Sequence, residues 1–405
     1  MEKPVIPARF SAVLGNKDFV YLWLGQILSQ LADRIYIYVL VIMAYSLTKT
    51  NLGVSVPMLS FGIPSVLFAS FAGVYVDRWN KKSVMVISDI LRGVLIFSII
   101  FMMKGSLLAI FLMSLLIYTI AQFFAPAEST SLAEIVEKEN LIVANSFFMT
   151  TWMWTAVVGF AFGAPLVLML GEEGTLGCAA VFYFVSALVI FLVKLKHKGR
   201  RKHETLKSVK HDLLMGFEFI RRNVVVKYSL IKMMIVTSAL AVISMLAIQF
   251  AEKYIGIGAK NFGYLVIFLG VGMMFGMWAL GRLGHYFKKS TIVVSGFVIS
   301  GVALIILSMA RSVGLAVAMC IILGFGNILI NATLQTILQH KTPRPLRGRV
   351  FGIQNMMINF AFTLPVVIFG MLADYFSLSI AIAVLGVIIL LSGLISVAVP
   401  KFRTI

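Results

Sequence analysis

The chain has 405 residues, 60% hydrophobic and only 13% charged, with a mean hydropathy of +0.99. Soluble proteins carry about 25% charged residues, so a soluble globular fold is excluded and a polytopic helical membrane protein is indicated. The net charge of +19 would suggest nucleic acid in a soluble domain, and Cys178 and Cys320, both inside apolar runs, read as packing residues rather than a disulfide or zinc framework.

Residues 1–18 are polar and basic, and the apolar run after them is too long for a signal peptide, so the first span is retained. Twelve spans are predicted, at 19–47, 52–76, 83–103, 106–125, 147–170, 176–194, 225–250, 261–281, 290–309, 313–338, 351–372 and 377–399. Alternate loops on one side of this map hold 27 of the 35 Lys and Arg, and the other side holds five. By the positive-inside rule both termini are cytoplasmic. The excess charge thus follows topology and attracts anionic lipid, with no nucleic-acid partner implied.

Span one carries Asp33 and Arg34 inside "GQILSQLADRIYIYVLVIM". Charged groups at mid-bilayer cost about 2.5–3.5 kcal/mol each even on the lenient insertion scale, so they pair or face a wet cavity. Asp33 lies roughly 21 Å from the start of the span. Gln26, Gln30, Asp33 and Ile37 share one stripe, with Ser29 and Tyr36 at its edge, which suits a helix lining a substrate and proton cavity. Arg34 points about 100° away and needs a partner from another helix. Asp33 either binds a proton or cationic group, or fixes packing as an ion pair.

Between spans two and three stands "GVYVDRWNKKS", residues 73–83. Span three follows with Asp89 and Arg92 at i, i+3, an intrahelical pair or gate contact near its cytoplasmic end. Span four offers Tyr118 and Gln122 to the cavity, with Glu128 at its cytoplasmic end among the gating residues, together with Gly73, Lys81 and Lys82. A basic stretch, 194–223, separates spans six and seven, and Leu213, Leu214, Phe217 and Ile220 give its second part an apolar face suited to the membrane surface. In span seven Lys232 either snorkels to the cytoplasmic face or serves as a cavity cation. The glycines of "GVGMMFG" in span eight are close-packing positions, not a nucleotide loop. Span ten carries Asn327, Asn331, Gln335 and Gln339 at four-residue spacing, lining a cavity or bonding between helices.

Two echoes recur 207 residues apart: Asn16 with Tyr21 against Asn223 with Tyr228, and "KKS" at Lys81 and at Lys288. They predict an all-α fold of two six-helix pseudo-repeats: 1–194, a basic linker with an amphipathic helix at 195–224, and 225–405. Parallel repeats of this kind place the substrate site at the midplane.

The 73–83 loop resembles the signature of the major facilitator superfamily, with Gly73, Asp77, Arg78, Lys81 and Lys82 in its places and Asn80 instead of a glycine. Together with "SDILRG" (88–93), "FFAPAESTSLAEIVEKENLIVANS" (123–146) and "LQHKTPRPLRGRVFG" (338–352), the chain resembles the bacterial branch of macrolide-efflux, siderophore-export and lysophospholipid-transport proteins. The resemblance implies alternating access, export of bulky amphipathic or drug-like compounds driven by protons, and a gating role for Asp77 and Arg78. The alternatives are a lysophospholipid flippase, with Lys232 and Arg34 on the phosphate, or a siderophore exporter. Span four lacks the arginine frequent in proton-coupled antiporters, and their span-five glycine signature survives only as "GFAFGAP".

No phosphate-binding G-x-x-x-x-G-K-[ST] loop occurs, which argues against a primary pump. All five His lie outside the spans, and no nucleophile or metal set converges, which argues against an enzyme or a metal exporter. The expectation is a monomeric carrier of the bacterial inner membrane, without cofactor.

Overall fold

The structure is a computed structural model and describes residues 10–76, 78–102, 106–195, 206–284, 286–343 and 346–397. Within these residues all regular structure is helical. In hydrocarbon each backbone polar group must be satisfied inside its own segment, and apolar runs of this length meet that demand as helices.

The chain forms α1 (Phe10–Leu14), α2 (Lys17–Thr48), α3 (Asn51–Val76), α4 (Lys81–Met102), α5 (Leu107–Ile135) and α6 (Leu141–Phe191). Then follow α7 (Leu206–Arg222), α8 (Val224–Gln249), α9 (Gly263–Leu283), α10 (Lys289–Met309), α11 (Val313–Lys341), α12 (Arg347–Ala361), α13 (Leu364–Tyr375) and α14 (Leu378–Val397). Among the described residues eleven helical stretches are long and apolar enough to cross a membrane. One of them, α6, holds predicted spans five and six together. Its two arms part at Gly171, whose φ of 71° and ψ of −178° suit a residue without a Cβ. Predicted span eleven divides as well. Pro365 cannot donate to the carbonyl of Ala361, and the helix stops and restarts through Phe362 and Thr363.

The 207-residue echo has a local cause. The Asn16 side-chain oxygen accepts from the backbone N–H of Asp18 (3.1 Å) and Phe19 (3.3 Å). Asn223 likewise accepts from Val226 N–H at 3.2 Å. Each asparagine caps the first long helix of its repeat.

The chain divides into two compact units, one of Met1–Leu40 with Ile63–Leu206, the other of Val41–Gly62 with Lys207–Ile405. The division passes through α2 and α3. In the first unit Phe19, Leu22, Met85, Phe124 and Phe148 build an aromatic-rich core. In the second, the Asp374 carboxylate accepts from Asn51 N–H (2.9 Å), Asn51 Nδ2 (2.7 Å) and Leu52 N–H (2.8 Å), so it caps the start of α3. Asn51 also donates to Gln249 Oε1 at 2.5 Å.

The amphipathic helix forms as α7, but its apolar residues serve two surfaces. Phe219 and Ile220 pack on Val226, Leu230, Leu338 and Val350, and a Cβ on Gly216 would stand 2.9 Å from Ile353 Cδ1. Leu214 and Phe217 stay exposed. The Leu213 side chain and residues 196–205 of the linker lie outside the described set.

Candidate functional site

Four helices of the first unit, α2, α4, α5 and α6, meet around one guanidinium. Arg92 of α4 is 1% exposed, in the middle of an apolar helix, so its charge must be answered by neighbours. Its Nη1 stands 3.4 Å from both carboxylate oxygens of Asp33 on α2 and 3.4 Å from the Tyr183 hydroxyl on α6. Its Nη2 donates to Ser29 Oγ at 2.9 Å and to Asp89 Oδ1, one helical turn away. Tyr183 donates to Asp33 Oδ1, and Ser186 donates to Asp89 Oδ2 at 2.6 Å. The faces of Phe124 and Tyr183 cover the guanidinium at 4.9 and 4.5 Å, adding cation–π contact in a place without bulk water. Asp89 is fully buried, whereas the Asp33 side chain keeps 32% of its surface. Asp33 is therefore the less buried of the two carboxylates.

The i, i+3 pairing of Asp89 and Arg92 forms within α4, and Arg92 also reaches across to Asp33. Arg34 faces the other way, as the wheel requires. Its guanidinium lies 5.6 Å from the Trp152 ring, and Gly159 lets α6 come close, since a Cβ there would run into the Arg34 side chain. Arg34 Nε is sealed from solvent without a hydrogen bond, and so is Gln26 Oε1. Gln30 Oε1 accepts from Thr155 at 2.9 Å. Tyr36 shares a 2.8 Å hydrogen bond with Ser114 and packs 6.0 Å from the ring of Tyr118. Gln122 turns back to donate to the Tyr118 carbonyl at 3.2 Å.

In the second unit Lys232 is buried within the protein. It is 4% exposed, donates to the Ser392 carbonyl and, at 2.8 Å, to Ser392 Oγ, and lies 5.3 Å from the Phe297 ring. Asn331 Nδ2 donates to Asn327 Oδ1 at 3.0 Å, and Gln354 Nε2 donates to Gln335 Oε1 at 2.6 Å. At least part of the amide row is therefore packing glue, joining α11 to α12 at Gln335.

Of the loop residues, Arg78 is exposed, Gly73 has open space at its Cβ position, Lys81 sits 3.7 Å from Glu134, and Lys82 lies 4.6 Å from the Phe191 ring. Asp77 lies outside the described residues. Glu128, on α5, is half-buried with Oε1 shut off from solvent and unbonded.

Tyr183, Ser186 and Phe124 belong to the site but were not singled out from sequence. The one available signal was Tyr183 and Ser186 at i, i+3 in an otherwise apolar span, which places both on one face.

Residues 22–365 match the Major Facilitator Superfamily. The chain is 22% identical to the multidrug efflux pump Tap of Mycolicibacterium fortuitum over 87% of this chain and 88% of Tap. It is 19% identical to macrolide efflux protein A of Streptococcus pyogenes, over 95% of this chain and 96% of that protein. A crystal structure of an auto-inhibited POT family peptide transporter superposes with a TM-score of 0.75 at 12% identity, covering 93% of this chain and 95% of that one, which is a likeness of fold alone.

Proposed function

The chain belongs to the Major Facilitator Superfamily, and from that premise we propose that it is a secondary active exporter of bulky amphipathic, drug-like compounds, coupled to protons and working by alternating access of two six-helix halves. It resides as a monomer in the bacterial inner membrane, with both termini cytoplasmic and its basic loops against anionic lipid. The efflux relatives support the direction and the class of cargo.

One observation supports the proton coupling: a single guanidinium stands between two carboxylates, Asp33 and Asp89, among helices of membrane-spanning length. Arg92 offsets one negative charge, and a bound proton on a carboxyl removes the other. Asp33 is the partly exposed member, so it exchanges that proton and, when ionised, draws Arg92 toward α2. Such a cluster has two charge states and two sets of hydrogen bonds, which a transport cycle can alternate between. Gln26, Gln30, Tyr36, Tyr118 and Gln122 extend the polar lining along α2 and α5. Asp77, Arg78, Lys81 and Lys82 serve as a gating loop. A lysophospholipid cargo would draw on Arg34 and Lys232 for its phosphate, and the commitment of Lys232 to Ser392 favours the drug-like reading.

The test is erythromycin transport by purified protein in proteoliposomes, with and without an imposed pH gradient. Wild type responds to the gradient, while Asp33→Asn loses most of that response. Normal gradient-driven transport by Asp33→Asn would show the assigned coupling role to be wrong. Unchanged drug accumulation in cells overproducing the protein would remove the efflux reading.

A further inference from the structure

The inner stripe of α5 carries one ionisable group with no assigned partner. Phe124, Ala127 and Ser131 are buried on that stripe, and Glu128, one turn beyond Phe124, lies among them. Phe124 is also the residue whose ring covers Arg92. Glu128 Oε1 is closed to solvent and accepts no hydrogen bond, and Arg92 Nε is likewise closed and donates none. A carboxylate oxygen in that condition is costly, whereas a protonated carboxyl is far less so. The charged groups acting on Glu128 are Asp89 and Arg92 from α4 and Asp33 from α2. From α6 the cluster receives the neutral Tyr183 hydroxyl. Further along, the Lys81–Glu134 pair joins α4 to the end of α5.

We infer that Glu128 is a second proton-carrying carboxyl, which exchanges its proton with the Asp33–Arg92–Asp89 cluster. This rests on the proton-coupled reading above and adds the route to it. The proton leaves a Glu128 oxygen and ends on a carboxylate oxygen of Asp33 or Asp89. Glu128 becomes the anion, the recipient becomes neutral, and the summed charge of the four groups does not change. Arg92 is the cation common to both arrangements, so the transfer relocates a negative charge beside one guanidinium rather than creating a new one. Repulsion of one carboxylate by two others nearby is the electrostatic reason the proton is shared and not simply lost.

The test is an infrared pH titration of the carboxyl C=O stretch in purified, lipid-reconstituted full-length protein. Wild type shows a titrating component that is absent in Glu128→Gln and present, at a shifted frequency, in Glu128→Asp. Folded Glu128→Gln with the wild-type band pattern overturns the inference. In proteoliposomes Glu128→Gln loses the stimulation of erythromycin transport by an imposed pH gradient, and Glu128→Asp restores part of it. Loss of the band with gradient stimulation intact overturns the relay. The proton-coupled reading fails separately, through Asp33→Asn keeping full gradient stimulation, so the two failures are distinguishable.

Discussion

At the 207-residue offset, α2, α4 and residues 172–191 correspond to α8, α10 and α14, yet the two trios are held together by different physics. In the first, Ser29, Asp33, Asp89, Arg92, Tyr183 and Ser186 form one charged, hydrogen-bonded cluster. The matching positions in the second are Val236, Leu240, Gly296, Ile299, Leu390 and Gly393. There the helices approach through glycine: a Cβ on Gly301 would stand 2.9 Å from the Gly386 carbonyl, and one on Gly393 would stand 2.6 Å from Phe297 Cβ. Close packing of small residues has a single arrangement and no dependence on protons. A buried ion cluster has as many arrangements as it has charge states. At the matched positions the charged cluster lies in the first trio and the close glycine contacts in the second.

The sharpest way to break that contrast is to remove the guanidinium. Arg92→Met leaves Asp33 and Asp89 without their cation, and removing one partner of a buried pair costs about 3–5 kcal/mol. The expected outcome is a large drop in thermal midpoint and in yield of monodisperse protein. A thermal midpoint equal to wild type would mean the cluster contributes nothing to the first unit. The glycine seam should respond less. Gly296→Ala places a methyl group 2.7 Å from Ile330 Cγ1 and 3.0 Å from the Gly326 carbonyl, and overpacking of that kind costs about 1–3 kcal/mol. Its thermal midpoint falls by less than that of Arg92→Met, and pH does not alter the difference, because no titratable group is touched.

Much of this was legible in the sequence, for a definite reason. A bilayer sets span length, so apolar runs and Lys/Arg asymmetry are enough to find the helices. The asparagine caps behind the repeat are local and readable, as is the separation of Asp33 from Arg34 by about 100° on one helix. What escaped depends on which helices become neighbours. Nothing near Asp33 in sequence names Arg92 as its partner, and Tyr183 in an apolar span reads as one more aromatic. The split of predicted span eleven at Pro365 was visible as a residue type but overlooked, because the hydropathy of the run continues across it.

Lys232 offers the finest test, because it is a charge in the copy held by packing. It occupies the position matching Gly25, where α2 instead packs tightly on residues 172–191, with a Cβ there 2.9 Å from Ile190 Cδ1. Its partners are the Ser392 carbonyl and hydroxyl and the ring of Phe297, all neutral. An ammonium so placed is expensive to bury and is repaid only by dipoles, and a hydrophobic residue of similar length is often neutral or stabilising by about 1–4 kcal/mol at such a site. Lys232→Met should therefore leave the thermal midpoint unchanged or raise it, opposite in sign to Arg92→Met. If the second copy is passive scaffold, gradient-driven erythromycin transport also survives. A stable Lys232→Met protein that cannot transport would instead assign Lys232 to the cargo or to the proton path, and the division of labour between the two copies would have to be redrawn around it.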